Sequence, residues 1–302
     1  MIKVAVLLTT YNAEEFVDLQ IASILSQRNV LITLFILDDF SSDATPQILR
    51  KYARSDDRIK LVNARKRNGN AAKSFYELIS HVVKVCDIDF DFVALADHDD
   101  IWLPLKVFSA VDKINLAGAD CYSSSIVSVD VSQNGIGRAV YQNKSIRSTP
   151  YDFWFQGPGP GCSFVLRYSF LKEFGQLNLL DNDIYWHDWF MYFYARSKDI
   201  KWYIDSEAHF FYVQHGQNET GANITIKNKL QRFKIIRNGW YLKEVKKMRN
   251  VCKYHHKDLE ILLSGKFLAK IKLMSRAFDL RRGRFDSLIF YIILLFVQRK
   301  GN

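Results

Sequence analysis

Phe92-Val93-Ala94-Leu95-Ala96-Asp97-His98-Asp99-Asp100-Ile101-Trp102 is the stretch around which the 302-residue chain organises itself. Phe92 to Ala96 is an unbroken apolar run of strand length, and it ends abruptly in three carboxylates and a histidine. Side chains alternate along an extended chain, so Asp97 and Asp99 are expected on one side and His98 on the other. Two carboxylates together repel unless a positive charge lies between them. Oxygen ligands of this kind suit a hard divalent cation such as Mg²⁺ or Mn²⁺. A second reading is a solvated acidic turn ahead of a helix that Pro104 begins, with Asp99 or Asp100 as its cap. The stretch alone leaves both readings open.

Upstream, the same grammar repeats. Val4 to Leu8 is a continuous apolar run that stops at Thr9-Thr10-Tyr11-Asn12, and a helical pattern with Phe16, Leu19, Ser23 and Ile24 on one side follows. Leu31 to Leu37 is a second strand, ending in Asp38-Asp39-Phe40-Ser41-Ser42-Asp43, before a helix carrying Ile48, Leu49 and Tyr52. Arg58 to Val62 is a third strand, Asn68-Gly69-Asn70 a turn, and Ala71 to Val85 a helix with Phe75, Leu78, Ile79 and Val82 inward. Strands alternating with helices predict an α/β fold with a mostly parallel sheet and right-handed crossovers. Ligands in such sheets sit beyond the carboxyl ends of the strands, where this chain repeatedly places hydroxyls, amides and acids. Neither GxGxxG after the first strand nor GxxxxGK[ST] occurs, which disfavours a dinucleotide fold and a P-loop ATPase.

Downstream, Cys121 to Val131 reads as a strand, and residues 132–160 as a long irregular segment ending in Gly157-Pro158-Gly159-Pro160-Gly161. Ser163 to Arg167 resumes as a strand. Tyr185 to Ser197 is an aromatic helix with His187 and Asp188 in its first turn. Trp202 to Asp205 and Phe210 to Gln214 are strands, with His215-Gly216-Gln217-Asn218 closing the second.

A hydrophobic fraction of 48% excludes wholesale disorder. Cys86, Cys121, Cys162 and Cys252 are scattered without a CxxC pair, which fits a reducing compartment better than a disulfide framework or zinc site. The apolar run Ile2–Leu8 is short for a signal peptide and lacks a cleavage site, so the expectation is a cytoplasmic protein. The net charge of +10 is uneven: residues 227–284 carry about +14, residues 1–226 about −5 and the tail about +1. In the basic stretch Lys and Arg alternate with Leu230, Phe233, Ile235, Ile236 and Trp240, then Leu262, Leu263, Phe267 and Ile271. Arg281-Arg282-Gly283-Arg284 precedes the greasy run Leu288–Val297. Cationic helices with an apolar edge predict docking on an anionic membrane surface, peripherally at the inner face of the cell membrane. A helical bundle with a solvated basic face is the plainer reading. Nucleic acid as the partner is disfavoured, because it leaves the acids at the strand ends unexplained.

Several motifs, taken in order and spacing together, resemble the GT-A glycosyltransferases of family 2. They are Leu8-Thr9-Thr10-Tyr11-Asn12, Leu37-Asp38-Asp39-Phe40-Ser41-Ser42-Asp43, Ala96-Asp97-His98-Asp99-Asp100-Ile101-Trp102, His187-Asp188-Trp189 and Tyr212-Val213-Gln214-His215-Gly216. The last three look most like the rhamnosyltransferase branch. The resemblance covers about residues 1–220, and implies a Rossmann-like GT-A domain over 1–222 with a basic helical module over 223–302. It implies that Asp39 holds the nucleotide base, with Thr9, Tyr11 and Asn12 lining the same pocket. Asp97 contacts the ribose, and Asp99 the Mg²⁺ or Mn²⁺ that bridges the diphosphate. His215 is a metal or diphosphate contact, and Lys73 or Arg67 assists the diphosphate. Asp188 is the catalytic base, against the plainer role of a charge at a helix N-terminus. Phe40 stands where the family has Gly or Ser, and Asn68-Gly69-Asn70 is shuffled relative to its Asn-x-Gly turn.

The implied reaction is inverting transfer from a nucleotide sugar, most readily dTDP-L-rhamnose, to a hydroxyl of a growing, lipid-linked cell-surface saccharide. A UDP-hexose or UDP-N-acetylhexosamine donor is the alternative, as is a nucleotide-sugar-binding protein without catalysis. Trp189 is the aromatic expected to stack on the acceptor, with a place in the core as the other reading, and Gly157 to Gly161 either shape the acceptor loop or form an ordinary surface turn.

Overall fold

The computed structural model describes residues 1–132, 135–144, 148–215, 238–264 and 266–297, and the statements below concern these residues. The strands are β1 (Ile2–Thr10), β2 (Val30–Asp38), β3 (Ile59–Val62), β4 (Phe92–Ala96), β5 (Ile101–Trp102), β6 (Cys121–Ser124), β7 (Ile126–Ser132), β8 (Gly135–Gln142), β9 (Val165–Arg167), β10 (Trp202–Asp205) and β11 (Phe210–Gln214). The helices are α1 (Val17–Leu25), α2 (Thr45–Ser55), α3 (Ala71–Lys84), α4 (Lys106–Ala117), α5 (Tyr168–Phe174), α6 (His187–Ser197), α7 (Trp240–Cys252), α8 (Lys257–Leu263), α9 (Phe267–Ile271) and α10 (Arg284–Phe296).

Seven strands form the central sheet in the order β10-β6-β9-β4-β1-β2-β3, and β5-β11-β7-β8 make a smaller second sheet. The α/β expectation holds: β4, β1, β2 and β3 run parallel, and β9 alone runs against its neighbours β4 and β6. The reason lies in the pattern of burial. Along β1, Val4, Val6 and Leu8 enter one core while Ala5 and Leu7 enter the other, and β4 divides Phe92, Ala94 and Ala96 from Val93 and Leu95 in the same way. A strand with helices on both faces needs apolar side chains at every position, which is what these runs supply.

Three expectations are corrected. The single strand Cys121–Val131 breaks at Ser125, whose hydroxyl donates to the Asp205 carbonyl at 3.0 Å, and its halves serve different sheets. The irregular segment after it contains β8, paired antiparallel with β7. Leu19 of α1 is exposed rather than inward.

The C-terminal helices share the larger core. Tyr241, Val245 and Met248 of α7, Leu259 of α8 and Phe290, Tyr291 and Leu294 of α10 are buried with residues of α3 and α6. Arg282 is buried too: its guanidinium donates to the Gly157 carbonyl and lies 3.7 Å from the Asp152 carboxylate. Leu230, Phe233, Ile235 and Ile236 lie outside the described residues.

Candidate active site

Parallel pairing sets the geometry. Thr10 is in register with Asp38 and Leu8 with Ala96, so the polar ends of β1, β2 and β4 finish along one rim. Beyond that rim lies a cavity of about 670 Å³. Thr9, Tyr11, Asn12, Asp39, Asp97, Asp99, Asp188 and His215 all line it. Eight of the ten residues expected from the sequence are therefore brought together, from five separate parts of the chain.

At the end of the cavity beside β2, the two aspartates that follow the strand do different work. Asp38 takes the Thr10 hydroxyl at 2.8 Å and both the N–H (2.9 Å) and hydroxyl (2.6 Å) of Ser41, which closes the turn. This turn puts Phe40 at φ +60°, explaining why a glycine would be at ease there. Asp39 instead faces the cavity and accepts the backbone N–H groups of Asn68 (2.5 Å) and Gly69 (2.8 Å). Gly69 holds φ +76°, so the shuffled turn still delivers its amides to the carboxylate. Asn12 is tied to the same loop through the Ser41 hydroxyl and the Ser42 N–H. Arg67 donates to the Tyr11 hydroxyl at 2.5 Å and lies over its ring.

At the opposite side, β5 pairs antiparallel with β11 and brings the chain after Gln214 back beside Asp99. His215 Nε2 lies 2.9 Å from Asp99 Oδ2, both groups are largely shielded, and Phe16 stacks on the imidazole at 4.4 Å. One imidazole nitrogen and one carboxylate oxygen, facing each other in a cavity, are a donor set that fits Mg²⁺ or Mn²⁺ with positions left for other ligands. Alternation of Asp97, His98 and Asp99 holds only for extended chain, and the structure departs from it here. The strand ends at Ala96, so alternation stops with it, and His98 lines the same cavity as Asp97 and Asp99. Asp100 is the one turned away. Buried against Cys162 and Lys106, its carboxyl is pushed well above the usual range by burial and by Asp99 and Asp97. Burial likewise brings the Lys106 ammonium down to about 8, where it sits 3.7 Å above the Trp102 ring. Neither Asp99 nor Asp100 caps α4, which starts without a side-chain cap.

Asp188 occupies the first turn of α6, and its carboxylate accepts the Trp189 N–H at 2.7 Å. The helix N-terminus favours its charge, but burial dominates and lifts the carboxyl to about 6. Its neighbour His187 was not singled out as a site residue, yet it lines the cavity and is held down to about 3 by burial. It packs on Phe75 at 4.3 Å and against Gly161, where a Cβ would lie 2.4 Å from its Nε2. Pro160 and Gly161 do reach the cavity wall, as the Gly-Pro loop suggested.

Two expectations fail. Trp189 points into the core and donates from Nε1 to the Phe153 carbonyl at 2.9 Å; Tyr185 and Trp186 line the cavity instead. One residue along a helix is about 100° of rotation, so the aromatic after Asp188 cannot share its direction. Lys73 does not contribute to the described lining; its ammonium is 3.3 Å from the Asp183 carboxylate. Sequence reading also missed the wall behind Trp186, which packs on Trp240 at 4.7 Å and Tyr241 at 6.0 Å.

The model for glycosyl transferase family 2 matches residues 5–175. The chain is 34% identical over 297 residues to the dTDP-rhamnosyl transferase RfbG of Shigella flexneri, covering 96% of this chain and 99% of that one. It is 36% identical over 106 residues to the putative glycosyltransferase EpsE of Bacillus subtilis (strain 168), covering 35% and 36% of the two chains. Among solved structures, S. aureus TarS in complex with UDP-GlcNAc superposes with a TM-score of 0.56 at 17% identity, covering 97% and 82%. The mannosyltransferase PcManGT from Pyrobaculum calidifontis, in complex with GDP-Man and Mn²⁺, gives 0.51 at 13% identity, covering 97% and 85%. These two likenesses speak to the fold.

Proposed function

Because this chain belongs to glycosyl transferase family 2, we propose that it transfers L-rhamnose from dTDP-rhamnose, with inversion, to a hydroxyl of a saccharide acceptor. The observation that carries the reading is the convergence of Asp39, Asp99 and Asp188 on one cavity, with His215 beside Asp99. The choice of donor rests on likeness to the Shigella enzyme along nearly the whole chain.

Asp39 would accept a base N–H while the Asn68 and Gly69 amides, one on each carboxylate oxygen, fix its position. Thymine and uracil offer the same imide N–H, so this contact accepts either. Asp97, on the same cavity wall, would contact the sugar of the nucleoside. Asp99 and His215 would hold Mg²⁺ or Mn²⁺, whose charge favours the departing diphosphate. Asp188 takes the proton of the acceptor hydroxyl as its oxygen bonds to the anomeric carbon. The bond to the diphosphate breaks, its electron pair leaves with the diphosphate, and a single displacement inverts the centre. A carboxyl near 6 is a stronger base than an ordinary aspartate near 3.9, and it is still ionised at neutral pH. No covalent intermediate is required.

In this reading the acceptor is lipid-linked and part of a growing cell-surface polysaccharide. Residues 1–222 perform the chemistry, and residues 223–302 keep the enzyme at the inner face of the cell membrane. No helix among the described residues is long and apolar enough to cross a membrane.

A thermal-shift panel of dTDP-rhamnose, UDP-glucose and UDP-N-acetylglucosamine, each with and without Mn²⁺, tests the proposal. The expected result is stabilisation by dTDP-rhamnose that depends on the metal. Equal or larger shifts with a UDP sugar would reassign the donor, and donor binding without turnover on any acceptor would favour a binding protein.

A further inference from the structure

The last three described segments form a knot with two apolar sides. The Lys270 ammonium of α9 is buried and donates to the carbonyls of Leu294 (2.7 Å) and Val297 (3.1 Å), so it caps the C-terminal end of α10. The Tyr291 hydroxyl returns a bond to the Lys270 carbonyl, and the Ser287 hydroxyl donates to the Ala277 carbonyl. These buried bonds tie α9, the 3-10 helix Met274–Asp279 and α10 together.

One side of this unit meets the core through Ser287, Tyr291 and Leu294, spaced i, i+4, i+7 along α10. Phe285, Ile289 and Ile292 have the same spacing but are offset by two residues, about 200° around the helix, and are exposed. Leu268 on α9 is 75% exposed and Phe285 is 76% exposed, with Met274 and Phe278 also turned outward. A helix packed on its own protein needs one apolar stripe. A second stripe, continued on two adjoining segments, is an apolar patch without a cover among the described residues.

Exposed cations accompany it: Lys266, Lys272, Arg276 and Arg284. Acids are fewer along residues 266–297; Arg276 lies 3.5 Å from both Asp258 and Asp279, so Lys266, Lys272 and Arg284 carry most of the charge of this face. We infer that this face, formed by α9, residues 274–279 and α10, lies in the headgroup region of an anionic lipid surface, its apolar side chains inserted and its cations among the phosphates. A second copy of the chain is the poorer occupant, because a two-fold interface would set these cations against themselves. The inference rests on the membrane-side reading of the acceptor only for its biological setting. It also revises which part of the basic stretch makes the contact, since α7 and α8 give their apolar faces to the core.

Vesicle flotation of the full chain tests it without any substrate. The probes are vesicles of phosphatidylcholine alone and of phosphatidylcholine with one-third phosphatidylglycerol. The wild type should float with the anionic vesicles, and at least about tenfold less with the neutral ones. Leu268→Glu combined with Phe285→Glu should lose at least about tenfold of that binding while keeping the wild-type Tm and dTDP-rhamnose shift. Flotation of the double variant at the wild-type level overturns the inference, as does failure of the wild type to float. A dimer in sedimentation equilibrium that the same double variant abolishes also overturns it, in favour of a second copy. Because Asp188→Asn should float like the wild type, loss of the catalytic reading and loss of the docking face are separable.

Discussion

The Glu244 carboxylate accepts the backbone N–H of Tyr185 at 3.0 Å, joining helix α7 to the segment that leads into Asp188. Glu244 is buried, and its second partner is the Lys247 ammonium at 2.7 Å, which also donates to the Asp183 carbonyl. The start of α6 is thus positioned through a contact between residues 59 apart in the chain. Glu244→Ala removes the acceptor of this part-buried N–H, at a cost of about 1 kcal/mol. It should lower kcat about tenfold with little change in donor KM. Glu244→Gln keeps an acceptor oxygen and should restore most of kcat. Equal kcat losses in both variants would mean that the charge, not the tether, matters.

Asp188→Asn should reduce turnover about 10²–10⁴-fold while donor binding survives. The wild-type rate should fall on the acid side with a midpoint near 6, where the buried carboxyl takes up its proton. Stability should move the other way. Burial raises this carboxyl above its unfolded value, so stability is lost as the pH rises from about 3.9 to about 6, and the cost is complete above that. Asp188→Asn should therefore raise Tm relative to wild type at pH 8, and that gain should vanish as the pH drops through 6 towards 4.

His215→Ala should weaken Mn²⁺ binding by at least about tenfold in a calorimetric titration in the presence of dTDP. The same loss should remove the metal-dependent part of the donor's thermal shift. Because Phe16 stacks on this imidazole, a Phe at position 215 should recover Tm without recovering Mn²⁺ binding. Undiminished metal affinity in His215→Ala would detach this residue from the metal.

Gly161→Ala should cost about 1–3 kcal/mol in unfolding by denaturant, because the new methyl would meet His187 Nε2 at 2.4 Å. The ring cannot swing away freely, being packed on Phe75. The double variant Gly161→Ala, His187→Ala should recover part of that loss, and a double-mutant cycle reads the coupling directly. Additive losses would mean that the two positions do not meet.

Trp186 and Trp189 should separate cleanly. Trp186→Ala removes cavity wall, so acceptor KM should rise with a small change in Tm. Trp189→Ala removes a core side chain and an N–H donor to the Phe153 carbonyl, and should cost about 3–5 kcal/mol of stability.

The comparison of sequence with structure follows a physical line. Strands β1, β2 and β4 were legible because apolar runs buried on both faces have no other use, and their ends announced themselves in Thr9, Asp38 and Asp97. Asp39, Asp99, Asp188 and His215 were legible through motif and spacing. Side-chain direction was not. Local pattern could not say that the chain leaves the strand at Ala96, which returns His98 to the cavity and sends Asp100 behind it. Nor could it say that Tyr185 and Trp186, rather than Trp189, line the cavity.

By itself the sequence determined the alternating α/β order and the polar groups at the strand ends, because hydrophobic periodicity is a local property of the chain. Only tertiary structure decided that Asp99 meets His215, that Glu244 holds the approach to Asp188, and that α7 belongs to the core while α9 and α10 keep an open apolar side. Those outcomes depend on which residues distant in sequence compete for the same buried space, and that competition is settled only when the chain has packed.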